Sequence, residues 1–188
     1  TGSGCHLNVS LWDLAGKKNM FWDENKPDKM SDIMRYWVGG VIKHIGAVTA
    51  MCSPTVNCYR RLHLPWAPDL ANWGIEDRFT SIRVKNFSHG GALMENRMCS
   101  GLVNPYLALA STIAAGLDGI KNKINPPELS VKDPKVVPAL PYDLAEALKV
   151  LEADKVMVEA LRPELVEWFV SSKRQGELKT LAASDIKV

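Results

Sequence analysis

The first ten residues alternate between polar and apolar positions after a Gly-Ser-Gly turn. Such alternation is typical of a β-strand, and it places Gly4, His6, Asn8 and Ser10 on one face. Three polar side chains on one face occur on a solvated edge strand or at a metal or substrate site. Taken alone, this segment favours the edge strand, with His6 held by a hydrogen bond.

Capping residues and apolar residues at helical spacing predict the helices. Ser31 suits the N-cap of a helix that runs to about Met51. Asp143 opens a series of short amphipathic helices over 144–151, 153–161 and 163–178. Between them, Asn104 and Pro105 begin a helix whose expected buried face consists of Leu107, Ala110, Ala114 and Leu117.

A period-two pattern predicts two more strands. The first covers 80–84, and a turn at 88–91 leads into a second that places Leu93, Glu95 and Arg97 on one face. The sequence therefore predicts that a carboxylate and a guanidinium group project together.

Proline marks the remaining segments. Pro54 ends the first helix, and we expect the polar segment 57–61 that follows to be extended. The Pro-rich stretch 125–141 has no clear period, which is typical of an arm that crosses the surface.

Composition sets broad limits on function. The chain has 188 residues, of which 46% are hydrophobic and 23% charged, so we expect one unit with a sizeable core. The net charge of +2, with basic residues scattered among acidic ones, argues against nucleic-acid binding. No apolar stretch suggests a membrane span. The four cysteines lack metal or redox spacing and no signal segment opens the chain, so we expect reduced thiols in a cytoplasmic protein.

Charged and polar side chains recur on four separate segments beside apolar residues. Buried arginines next to a histidine and a glutamate are unfavourable unless anionic groups or a metal ion compensate them. The functional interpretation is a pocket for a polyanion and a metal, and the alternative is a structural network of buried ion pairs. The residues concerned are His6, Asn57, Arg61, Arg78, Arg83, Glu95 and Arg97.

The order of several short motifs carries a family resemblance. The motifs are Gly-Ser-Gly-x-His at 2–6, Gly-Gly-Val-Ile-Lys-His at 39–44, Asn-x-Tyr-x-Arg-Leu at 57–62, Glu-x-Arg at 95–97, Asn-Pro-Tyr-Leu at 104–107 and Ala-Gly-Leu-Asp-Gly-Ile at 115–120. In this order they closely resemble the catalytic domain of glutamine synthetases of the type I lineage.

The resemblance implies an α+β fold in which helices pack against a curved antiparallel sheet that forms part of a barrel. It implies that only the C-terminal part of the domain is present, with its core over 1–125 and a Pro-rich arm and C-terminal helices over 126–188. Enzymes of this family activate glutamate with ATP, displace phosphate with ammonia, and work as dodecamers.

By matching position, the resemblance also implies roles for individual residues. His6 and Glu95 correspond to ligands of divalent metals, a role suited to their chemistry. Gly2, Arg61 and Arg97 correspond to the glutamate side of the site. The nucleotide and phosphate side corresponds to Ser10, Arg78 and Arg83.

Several positions depart from the enzymes. Asn8 stands where they usually have a second histidine, and Asp77 and Phe79 flank Arg78 where they have asparagine and serine. The added negative charge should weaken anion binding.

Further departures affect catalysis more directly. The enzymes place a lysine and an arginine five and two residues before the metal-binding glutamate, whereas this chain has Gly90 and Leu93. They carry a glutamate before Ala-Pro on a flap, and here Trp66 precedes Ala67 and Pro68. A lost general base costs about 10²–10⁴-fold in rate, and lost phosphate-binding cations cost several kcal/mol.

These departures favour a non-enzymatic member of the family with a structural or scaffolding role. The pattern is most similar to a branch from the vertebrate eye lens, which the resemblance implies is a dodecamer associated with intermediate filaments. On this hypothesis we expect a homo-oligomer and no functional cofactor beyond residual Mg or Mn. The alternatives are an ATP-dependent ligase that joins glutamate to ammonia or another amine, and a sensor that uses the glutamate pocket.

For two sets of helical residues the sequence allows two locations each. His44 is expected in the core or at an interface. Four apolar residues of the C-terminal helices are expected either to cap the barrel or to contact another ring of subunits: Val156, Met157, Trp168 and Phe169.

Overall fold

Four strands form a mixed β-sheet within the part of the chain that the structure describes. The structure is a computed structural model, and it describes residues 3–62, 64, 66–87 and 90–182. The order across the sheet is β1-β4-β3-β2, and the strands are β1 (Leu7–Val9), β2 (Trp73–Ile75), β3 (Ile82–Phe87) and β4 (Gly91–Asn96).

The pairing agrees with the expected α+β fold and adds one feature. β4 pairs antiparallel with both β1 and β3, as expected. By contrast, β2 runs parallel to β3, so the sheet is not antiparallel throughout. With only three residues, β2 is too short to produce a clear period-two pattern. Residues 88 and 89 of the predicted turn lie outside the described residues.

Helices cover the sheet and build most of the core. They are α1 (Asp32–Lys43), α2 (Ile45–Cys52), α3 (Val56–Arg61), α4 (Pro105–Asn122), α5 (Leu144–Ala153), α6 (Lys155–Leu161), α7 (Pro163–Lys173) and α8 (Lys179–Ala182), with a π-helical turn at Arg174–Leu178. The three predicted N-caps are confirmed. Each side chain accepts a hydrogen bond from a backbone N–H in the first turn of its helix, and the residues are Ser31, Asn104 and Asp143.

The structure corrects two of the predicted elements. The helix expected from Ser31 to Met51 is interrupted at His44, where α1 ends and α2 begins. The segment 57–61, expected to be extended, belongs to α3. The Thr55 hydroxyl contacts the Cys58 thiol and does not cap this helix. Instead, the Glu177 carboxylate accepts a hydrogen bond from the Val56 N–H at 2.6 Å, a contact that local sequence cannot reveal.

The buried face of α4 also differs from the prediction. Leu107 and Ala114 are only partly buried, while Ala110 and Leu117 are exposed. Smaller neighbours form the buried face, because α4 packs very closely on α1. A Cβ atom added to Gly119 would lie 2.0 Å from the carbonyl oxygen of Tyr36, so no larger residue fits there. The residues of this face are Ala108, Ser111, Thr112, Ala115, Gly116 and Gly119.

The Pro-rich arm runs beside the segment that leads into β2. The Ala71 N–H donates to the Pro138 carbonyl, and the Leu140 N–H donates to the Asp69 carbonyl, both at 2.8 Å. Further along, the Ser130 N–H donates to the Trp73 carbonyl at 2.9 Å. The arm is therefore fastened to the sheet by main-chain hydrogen bonds. It leads into α5, whose apolar side chains join the same core as α1 and α2.

The cysteines and the helix lengths complete the description. Cys5 is exposed and Cys52, Cys58 and Cys99 are buried, and all four are free thiols in the structure. In the described part of the chain, no helix combines the length and apolar character needed to cross a lipid bilayer.

Candidate functional site

The carboxylate of Glu95 lies at the centre of the candidate site. Its backbone lies between Asn8 of β1 and Arg83 of β3, which are its partners on the two neighbouring strands. The side chain is only 5% exposed. The His6 Nδ1 lies 2.9 Å from the Glu95 Oε1, so two residues that the sequence places 89 positions apart meet here.

Three cationic side chains also surround this carboxylate. The Arg83 Nη1 and the Lys85 Nζ lie 3.3 and 3.2 Å from the Glu95 Oε2. The Arg97 Nη1 lies 3.8 Å from Oε1. Arg83 also pairs with Glu76 at the edge of the site. The structure therefore brings together four of the seven residues that the sequence assigned to one pocket: His6, Arg83, Glu95 and Arg97.

Lys85 is the member of this cluster that the sequence interpretation missed. It lies on β3 two residues after Arg83, so the period-two pattern of the strand already placed it on the same face. The Lys85 Nζ also donates to the Asn8 amide oxygen at 3.1 Å. Asn8 thus contacts the cluster as the neutral acceptor of a hydrogen bond from a charged donor.

Charge and burial set the protonation of the cluster. Burial raises the pKa of Glu95, but the hydrogen bonds and charges of Lys85 and His6 outweigh it, and the pKa is lowered overall. Burial and the charge of Arg97 lower the pKa of His6, although the contact with Glu95 opposes them. Glu95 is therefore an anion that its neighbours neutralise.

Arg61 lies beside this cluster and borders a cavity. Its Nη2 donates to the carbonyl oxygen of Met98 at 2.7 Å, while its buried Nε has no hydrogen-bond partner in the described residues. The cavity has a volume of about 330 Å³, and its lining combines Ser3, Asn57, Cys58 and Ser100 with the apolar side chain of Leu102. A guanidinium beside such a cavity suits an anionic or carbonyl-bearing group.

The remaining predicted residues do not join the cluster. The Ser10 hydroxyl accepts a hydrogen bond from the Trp12 indole at 3.0 Å on the exposed surface. Arg78 is exposed and forms no ion pair with any residue that the structure describes. Gly2 lies outside the described residues.

The described residues around Glu95 offer few ligands for a divalent metal. His6 and Glu95 are two candidate ligands, but each already engages the other and Glu95 is further saturated by cations. Among the described residues, no group of three or more histidine, cysteine, aspartate or glutamate side chains is arranged to hold an ion. Mg²⁺ requires several oxygen ligands in octahedral geometry. This part of the chain therefore does not form a metal site by itself.

The structure shows where the helical residues with two interpretations lie. His44 is buried in the core, and its Nδ1 and Nε2 lie 2.6 and 2.9 Å from the carboxylates of Asp154 and Asp118. Of the four apolar residues, Met157 and Phe169 are core residues, whereas Val156 and Trp168 are exposed.

Comparisons with known proteins agree with these motifs. A family model described as "Glutamine synthetase, catalytic domain" matches residues 1–186. The glutamine synthetase of Rhizobium meliloti is 37% identical over 96% of this chain and 43% of its own length. That of Pyrococcus furiosus is 42% identical over 85% of this chain and 38% of its own length. Lengsin from Canis lupus familiaris is 32% identical over 89% of this chain and 31% of its own length.

The same fold occurs in solved structures. The structure described as "GmaS/ADP complex-Conformation 1" has a TM-score of 0.86 and 32% identity, and it matches all of this chain over 45% of its own length. The structure described as "Apo GmaS without ligand" matches equally well, with a TM-score of 0.86 and 33% identity. The chain thus spans less than half the length of these relatives.

Proposed function

Since the chain belongs to the glutamine synthetase family through its catalytic domain, we propose that its protein is a non-enzymatic member with a structural or scaffolding role. The ion pairs of Glu95 carry this proposal. Arg83, Lys85 and Arg97 lie within 4 Å of one buried carboxylate, so each of these cations already has an anionic partner inside the protein. A phosphate group needs uncompensated cations that are already in place.

The replaced positions support the same conclusion. Leu93 supplies no charge on β4, and Gly90 has a φ of +84°, a conformation that a lysine would adopt only with strain. Of the residues proposed for the phosphate side, Arg78 and Ser10 remain outside the cluster. On this proposal the protein needs no nucleotide, and Gly2, Arg61 and Arg97 are the remnant of a glutamate pocket.

We further propose a homo-oligomer, dodecameric for the whole protein, with intermediate filament proteins as partners in the cytoplasm of lens cells. The division of the domain into a core over 1–125 and an arm with helices over 126–188 belongs to the same proposal. We assign Trp168 of α7 to a contact of this oligomer, because this large apolar residue is 66% exposed. The lens and filament assignments rest on the likeness to lengsin.

The decisive experiment measures phosphate release by the full-length protein with ATP, glutamate and ammonium. The glutamine synthetase of Rhizobium meliloti serves as the positive control. We expect no release above the background without protein and no heat of ATP binding in calorimetry. Turnover near that of the control enzyme would contradict the proposal.

The mass of the native particle tests the oligomer separately. We expect a particle of many subunits, and we expect Trp168→Glu to reduce its mass because a charge is then buried at the contact. Ala160→Glu introduces the same charge at an exposed position of α6 and should leave the mass unchanged. An unchanged mass for Trp168→Glu would exclude this residue from the contact.

A second candidate is an ATP-dependent ligase that joins glutamate to an amine. The observation that favours it is the retained grouping of His6, Arg61, Glu95 and Arg97 around one region. ATP and Mg or Mn would then be required. ATP cleavage that depends on glutamate and on one amine from a screened series would support the ligase.

A further inference from the structure

An aromatic pair joins two segments that are distant in the sequence. The ring centroids of Trp66 and Phe79 lie 5.5 Å apart at an interplanar angle of 33°. Both side chains are largely exposed, at 76% and 53%. Tilted aromatic rings at this distance attract one another. The 66–68 segment is therefore attached to the turn that carries Arg78.

The Pro-rich arm adds a third segment to the same contact. The Lys132 Nζ lies 5.2 Å from the centroid of the Phe79 ring and 2.8 Å from the Asp77 Oδ2. Asp77 also accepts a hydrogen bond from the Phe79 N–H at 2.8 Å. One ammonium group thus binds both a carboxylate and an aromatic face.

The arm that carries Lys132 is itself held in place. The Asn72 amide donates to the Val131 carbonyl at 3.0 Å, and the Trp73 indole donates to the Pro127 carbonyl at 2.8 Å. The backbone on either side of Lys132 is therefore held in place by hydrogen bonds. The contacts of Lys132 with Asp77 and Phe79 connect the surface turn to this anchored arm.

The backbone of Trp66 lies in the left-handed region. Its φ is +77°, which is unfavourable for a bulky residue. The carbonyl oxygen of Trp66 accepts a hydrogen bond from the Arg97 Nη2 at 3.4 Å. The position of this segment is consequently linked to a residue of the candidate site.

We infer that Trp66, Asp77, Phe79 and Lys132 form an aromatic clasp that fastens the 66–68 segment to the arm and holds it against Arg97. The clasp fixes a segment that contacts Arg97 of the candidate site and makes it part of a rigid surface. This inference concerns the conformation of the loop, so it is independent of whether the protein is a scaffold or a ligase.

Chymotrypsin cleavage at the Trp66–Ala67 bond of the full-length protein measures opening of the clasp, since proteolysis requires local unfolding. We expect Phe79→Ser to accelerate this cleavage about 3- to 10-fold, as the loss of one aromatic contact predicts. Phe79→Tyr keeps the ring and should retain the original rate. Phe87→Ser removes another half-exposed phenylalanine outside the clasp and is the matched control.

Lys132→Gln tests the link to the arm. It should accelerate the same cleavage, and added salt should accelerate cleavage of the original protein more than that of the variant, because salt screens the Lys132–Asp77 pair. Lys135→Gln changes an exposed lysine of the same arm and should have no effect. Equal rates of cleavage at Trp66 for Phe79→Ser, Phe87→Ser and the original protein would contradict the clasp. An acceleration that occurs equally at cleavage sites far from Trp66 would also contradict it.

Discussion

Lys85 and Leu93 are direct cross-strand partners in the antiparallel pair β3–β4. The Lys85 ammonium extends from this position to Glu95 and Asn8. The sheet therefore has a cation on β3 opposite the position on β4 where the family resemblance implies a cation in the enzymes. Two cations at these positions would face each other, and like charges on directly opposed residues destabilise a sheet.

This relationship predicts that Leu93→Arg destabilises the protein even though it restores a residue of the enzymes. We expect a loss of about 0.5–1 kcal/mol in the free energy of unfolding, measured with urea. The double variant Lys85→Leu with Leu93→Arg should recover most of the loss. Leu93→Gln serves as the uncharged control, and an equal loss for this variant would refute repulsion as the cause.

Removal of the Glu95 carboxylate should be far more damaging. Glu95→Ala leaves His6, Arg83, Lys85 and Arg97 without their common anion, and the loss of one partner of a buried ion pair costs about 3–5 kcal/mol. Urea unfolding measures this loss. Glu76→Gln removes an exposed partner of Arg83 and should cost less than about 1 kcal/mol. Similar losses for the two variants would contradict the central role of Glu95.

The cluster around His44 predicts a specific pH dependence of stability. Burial lowers the pKa of His44, but the hydrogen bonds with Asp154 and Asp118 outweigh it and raise the pKa overall. Those same contacts lower the pKa of both aspartates, although burial opposes them. The structure thus favours a charged imidazolium between two carboxylates.

The stabilisation by His44 is fully present below the pKa of an unfolded histidine, about 6.5, and is lost as the pH rises through the raised folded value. The stabilisation by the aspartates is present above about pH 4 and is lost as the pH falls through their lowered folded values. Urea unfolding from pH 5 to 9 should therefore show a decrease at the alkaline end.

The variant His44→Gln tests whether this pH dependence of stability arises from His44. We expect it to cost about 3 kcal/mol at pH 6, because two largely buried carboxylates lose their partner. The cost should be smaller at pH 9, where the native imidazole has lost its proton. A cost that does not change with pH would contradict a charged His44.

The close crossing of α1 and α4 leads to a fourth prediction, which concerns the stability of the protein. Gly119→Ala would place its Cβ atom 2.0 Å from the Tyr36 carbonyl and 2.7 Å from Gly40. We expect the helices to separate, with a loss of about 3 kcal/mol or more in the free energy of unfolding. Gly176→Ala is the control, since nothing lies within 4 Å of the added atom, and it should stabilise the protein by up to about 1 kcal/mol.

Features that depend on neighbouring residues could be predicted from the sequence. Ser31, Asn104 and Asp143 cap their helices by bonding N–H groups two or three positions along the chain. The alternation around Glu95 likewise identified its face of the sheet. The fold class followed from the order of the motifs, which the family comparison supports.

Features that depend on distant partners could not be predicted. The helix α3 begins with a hydrogen bond from Val56 to Glu177, 121 residues away. The interruption at His44 is stabilised by Asp118 and Asp154, on the far side of the core. Lys85 is different, because its place on the face of Arg83 followed from strand periodicity alone. Only its convergence on Glu95 required the three-dimensional structure.

The pairing of Leu7 with Asn96 has a consequence for folding kinetics. β1 must close a loop of nearly the whole sheet region before it pairs with β4, and such closure is entropically costly. We therefore expect β1 to dock after the β3–β4 hairpin has formed. Substitutions in β1 should then accelerate unfolding without slowing refolding, so that the histidine and glutamate of the site meet only at the last step of assembly.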